Sequence, residues 1–142
     1  WEWADCWAFL REVTSRLKGY GYAVEIGRGD IEGLKKFLEG KTAFLLSLLQ
    51  NPNLLEHETF TDLLWAVFHL AEELSYRTDL RGLPDSDLEH LAGDIKRAYV
   101  LLVIEWLSYL RHLKANYPYL SSFAVRTNPF NHGAKVIIEK KP

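Results

Sequence analysis

An all-α fold, an antiparallel bundle of four long helices with a short C-terminal helical turn and an extended tail, is predicted by three features of the sequence. Apolar residues recur at helical spacing over four long stretches. Glycine, proline and asparagine cluster between those stretches. The connections are short, as in antiparallel bundles. The length of 142 residues suits one domain with one core, here residues 1–142.

The first helix is expected over Glu2 to Lys18, where Trp3, Cys6, Leu10, Val13 and Leu17 share a face. Gly19 and Gly21 end it, and Ala23 to Ile26 suits a short extended piece. Asp30 is the expected N-cap of a second helix, Ile31 to Gln50, with Ile31, Leu34, Leu38, Leu45 and Leu48 as its stripe. Gly40 invites a kink or break there. Asn51-Pro52-Asn53 is a turn, and Asn53 with Glu56 has the capping spacing for a third helix, Leu54 to Tyr76. Phe60, Leu64, Val67, Ala71 and Leu74 form its tight apolar stripe.

Ser86 and Glu89 make a capping box for the fourth helix, about Asp87 to Asn116. Its expected core seam is Leu88, Leu91, Ile95, Ala98, Leu102, Tyr109 and Leu113. Pro118 stops it, since proline disfavours helix in the preceding residue. Tyr119 to Arg126 suits one or two more helical turns, and Val136 to Ile138 a strand-like tail.

A net charge of −2 gives no basic field for nucleic acid. No segment has the roughly 18 consecutive apolar residues of a membrane span. The single cysteine, Cys6, rules out an internal disulfide and fits a reducing, cytoplasmic setting. The chain begins with tryptophan and has no methionine, so a fragment or an N-terminally incomplete chain is expected. Trp1, Trp3 and Trp7 crowd that end, as a core-facing stripe or at a wet boundary.

Two surfaces stand out. Val100, Ile104 and Leu107 lie opposite the expected seam of the fourth helix, so its middle is apolar all round. Either it runs through the centre of the bundle or this band meets a copy of the chain or a protein partner. Opposite the stripe of the third helix lie Glu58, Asp62, Trp65, His69 and Glu73. Trp65 is either covered by another segment or offered to a partner. His69 and Glu73, one turn apart, read as a surface ion pair.

Catalysis finds little support. Cys6 falls on a predicted buried face, no Gly-x-Ser-x-Gly elbow occurs, and Gly27, Gly29 and Gly33 miss the phosphate-loop spacings. No cofactor is required. Metal ligation is the sharpest chemical alternative. Asp87, His90 and Asp94 share one flank of the fourth helix, with His69 on the third as a further donor. The Glu-x-x-His and His-Glu-x-x-His patterns of diiron and zinc sites are absent.

Four stretches carry a resemblance: Asn51 to His57 (NPNLLEH), Phe60 to Leu70 (FTDLLWAVFHL), Tyr117 to Leu120 (YPYL) and Arg126 to Phe130 (RTNPF). Over residues 30–130 the chain resembles a helical cytoplasmic region of prokaryotic potassium-channel-like membrane proteins. The resemblance implies a soluble module attached to a membrane part upstream. The channel's Thr-Val-Gly-Tyr-Gly filter is not in this chain. The expected function is a non-enzymatic helical interaction or regulatory module, a homo-oligomer or one bound to a protein partner. The alternative is a metal-binding helical protein, enzyme or sensor.

Overall fold

The computed structural model describes Ser15 and residues 24–138. The helix expected over residues 2–18, with Cys6 and the first three tryptophans, lies outside the described residues except for Ser15. A single 3-10 turn, Ile26–Arg28, stands where the extended piece was expected to end. Six α-helices follow: α1 Ile31–Glu39, α2 Thr42–Leu49, α3 Pro52–Leu55, α4 Glu58–Ser75, α5 Asp85–Asn116 and α6 Pro118–Arg126. No strand occurs among the described residues. Val136 to Ile138, expected to be strand-like, are exposed bends and coil with no sheet to join.

Local chemistry explains the boundaries. Asp30 caps α1, its Oδ1 accepting from Gly33 N at 2.7 Å. A Cβ at residue 33 would stand 2.3 Å from Asp30 Oδ2, so a side chain there would push the capping carboxylate aside. The expected second helix breaks at Gly40 into α1 and α2. Asn51, not Asn53, caps the next turn, accepting from Asn53 N with Pro52 at the first helical position. The chain then restarts at Glu58, so the third expected helix is α3 plus α4. The loop to α5 turns at Gly82, whose φ of 72° is in the left-handed region. Helix α5 begins at Asp85, so Ser86 sits inside its first turn rather than at a cap.

The chain divides into two compact units within α5, one ending at Val103 and one starting at Ile104. In the first, α1, α2 and α3 all touch α4. Its core joins Leu38 of α1, Ala66, Leu70, Ala71 and Leu74 of α4, Leu80 of the loop, and Leu91 and Ala98 of α5. Leu74 and Leu91 are fully buried. Each such leucine contributes about 1.5–3 kcal/mol relative to exposure.

In the second unit Ile104, Leu113 and Ala124 are buried. The Trp106 ring meets Tyr109 and Phe130, with centroids 5.7 and 6.3 Å away. Arg126 donates to Val136 O. Leu102 and Tyr109, expected on the seam of α5, are exposed, whereas Ile104 is buried. The inward face after Ala98 therefore differs from the one a uniform stripe extrapolates.

Candidate metal centre

Helical spacing places His69 and Glu73 one turn apart on one face of α4, and His90 and Asp94 one turn apart on one face of α5. Side-chain pairings run Arg77 with Asp87, Glu73 with His90, and His69 with Asp94. As the number falls on α4 it rises on α5, so these two helices are antiparallel and the two faces meet.

Four atoms converge there: His69 Nε2, Glu73 Oε1, His90 Nε2 and Asp94 Oδ2. Asp94 Oδ2 is 3.4 Å from each imidazole nitrogen. Glu73 Oε1 is 3.7 Å from His69 and 3.5 Å from His90. The four residues form a group whose donor atoms all lie within 4.8 Å of one another. Donors set tetrahedrally around one ion at 2.0–2.2 Å are about 3.3–3.6 Å apart. The four nitrogen–oxygen distances sit close to that spacing.

The second oxygen of each carboxylate is held by an arginine. Arg77 Nη1 donates to Glu73 Oε2 at 2.6 Å, and also to the Glu73 carbonyl. Its Nε and Nη2 grip both oxygens of Asp87, at 2.8 and 2.6 Å. Lys35 Nζ of α1 donates to the Arg77 carbonyl. Arg97 Nη1 donates to Asp94 Oδ1 at 2.7 Å. Each carboxylate is thereby aimed, with Oε1 and Oδ2 left facing the imidazoles, as outer partners aim ligands in metal sites.

Asp94 is only 3% exposed, and its Oδ2 accepts no hydrogen bond. A buried carboxylate oxygen that accepts no hydrogen bond is costly and requires a reason. The Arg77 hydrogen bond is the largest influence on Glu73 and holds its carboxyl below the usual range, against a smaller upward push from burial and with help from His90. Arg77 likewise lowers Asp87, chiefly by its hydrogen bonds. The guanidinium itself is raised, first by Asp87 and then by Glu73.

Of the metal donors expected from sequence, His69, His90 and Asp94 come together. Asp87 does not join them, because Arg77 occupies both of its oxygens. Glu73 takes its place. The signal was a repeated one, His-x-x-x-acid on two successive helices, but the first copy reads equally well as an ion pair. Of the expected interface residues, Val100 and Leu107 are half-buried and Ile104 is buried. Trp65 is 56% exposed, its ring edge-on to Phe68 at 6.2 Å.

What the fold and site define is an all-helical domain with a mixed imidazole–carboxylate cluster between two consecutive helices. The chain belongs to the family described as "Uncharacterized protein MJ1433, C-terminal helical domain", which matches residues 3–126. It is 51% identical over 138 residues to "Uncharacterized protein MJ1433" of Methanocaldococcus jannaschii, an alignment covering 97% of this chain. The chain spans about half of that relative, 55% of its length. No solved structure matches. Neither description names a channel.

Proposed function

We propose that this chain is a metal-binding helical module that holds one divalent transition-metal ion between α4 and α5. The observation that carries the reading is the convergence of His69 Nε2, Glu73 Oε1, His90 Nε2 and Asp94 Oδ2 at ligand spacing, with Asp94 buried. Two imidazoles and two carboxylates are a borderline donor set, suited to zinc, iron, manganese, cobalt or nickel rather than to calcium or magnesium. An ion-pair network is the competing account of the cluster, since each imidazole lies 3.4–3.7 Å from both carboxylates, and metal titration separates the two.

Calorimetric titration of metal-free protein with zinc, manganese and cobalt chlorides tests the reading. One ion per chain is expected, and none in a His69→Ala/His90→Ala double variant. Equal binding by that variant would overturn it.

A second reading, a helical interaction or regulatory module, is supported by the exposure of Trp65. Trp65 lies one turn before His69 on the same face of α4. A partner seated on Trp65 would therefore sit beside the ion. In that reading the partner is a protein or a second copy of the chain.

A further inference from the structure

The two sides of the cluster differ. Asp94 forms a buried floor at 3% exposure, whereas the His69 and His90 side chains are 47% and 51% exposed. An ion shared by these four groups has protein beneath it and water on the imidazole side.

Arg97 lies on the same face of α5 as His90, seven residues further along. It is 59% exposed and donates through Nη1 to Asp94 Oδ1. It makes no other hydrogen bond among the described residues. Oδ1 and Oδ2 belong to one carboxylate, so a single side chain links the guanidinium to the ion position.

Charge points the same way. Glu73 and Asp94 balance a divalent ion, and Asp87 balances Arg77. Arg97 is left over, so the loaded centre carries a net positive charge. A guanidinium with unused N–H groups next to a cation matches an oxyanion, whose oxygens can ligate the metal and accept from the fork together.

We infer that the metal-loaded centre binds an oxyanionic group, phosphate or carboxylate, which takes a fifth coordination position on the open imidazole side and accepts from Arg97. The inference rests on the metal-binding reading above. It adds a ligand class to that reading and makes Arg97 the residue that selects it.

The test uses the cobalt-loaded protein, whose visible bands report the ligands of the ion. Inorganic phosphate and, in parallel, acetate are titrated at constant ionic strength. A saturable band change is expected. A response to phosphate alone assigns a phosphate-type ligand, and a response to acetate alone a carboxylate. With cobalt affinity measured first for each variant and the titration run at full loading, Arg97→Met should raise the anion midpoint roughly tenfold or more, and Arg97→Lys should raise it less.

Bands indifferent to both anions, or an unchanged midpoint in Arg97→Met, would overturn the inference and leave metal binding intact. If Arg97→Met does not load, the Arg97→Lys midpoint decides, an unchanged value counting against the inference. A wild-type protein that takes up no cobalt would remove the metal-binding reading itself.

Discussion

His69 Nε2 and Asp94 Oδ2, from two different helices, stand 3.4 Å apart without a hydrogen bond to the carboxylate oxygen. Arg97 occupies the other oxygen of Asp94, so the side chain is anchored but not neutralised at this end. An oxygen held between two imidazoles without a hydrogen bond is placed to meet a cation.

Metal should therefore stabilise the folded chain. A zinc concentration about one hundred times the dissociation constant adds about 2.7 kcal/mol through binding to the folded state alone. Scanning calorimetry with and without zinc checks this. The His69→Ala/His90→Ala protein should unfold at the same temperature in both conditions, and an undiminished zinc shift in it would remove the assignment.

Asp94→Asn separates site from scaffold. The amide keeps the shape of the side chain but loses a metal ligand, and the weakened contact with exposed Arg97 costs about 0–1 kcal/mol. The metal-free variant should stay folded with near-parent stability, yet gain far less from zinc. Marked destabilisation together with a normal zinc response would show that Asp94 is structural.

Acid should loosen the molecule partly through Arg77. The folded forms of Glu73 and Asp87 have lowered carboxyl pKa values, first because of Arg77 hydrogen bonds. Such groups stabilise fully above their ordinary values, 4.5 for Glu73 and 3.8 for Asp87, and lose that contribution as pH falls through the depressed folded values. Arg77→Met should lower stability at neutral pH and flatten its decline below about pH 5. Denaturant midpoints across that range decide it, and parallel curves for the two proteins would refute it.

Leu74 is fully buried in the core of the first unit. Leu74→Ala should cost about 2–5 kcal/mol, depending on how far the cavity collapses. Urea unfolding measures it, and a loss well under 1 kcal/mol would mean that the core is not packed as described.

Ile104→Glu tests the apolar band of α5. Because Ile104 is buried, a carboxylate there should cause unfolding rather than split an oligomer. Circular dichroism with light scattering distinguishes the outcomes. A folded variant of lower mass would restore the interface expected from sequence. Trp65→Ala, at an exposed position, should leave the fold intact.

The helices were legible because periodicity and caps agree: Asp30, Gly40 and Pro118 each act as their chemistry predicts. The break at Glu56 and His57 was not legible, since Asn53 and Glu56 have the spacing of a helix start and place it too early. The inward face of α5 beyond Ala98 was misjudged at Leu102 and Tyr109, because burial there depends on neighbours that a single helix's pattern does not reveal. Three of the four cluster residues were identified. Asp87 was preferred to Glu73 because it shares a flank with His90, and only the reach of Arg77 shows that it is already engaged.

All four donors lie between His69 and Asp94, on two neighbouring helices joined by one short loop. Among the described residues, every donor of the cluster comes from this one segment. The ion could be captured while the rest of the polypeptide is still assembling, and a hairpin excised from this segment is the smallest piece in which the chemistry should survive.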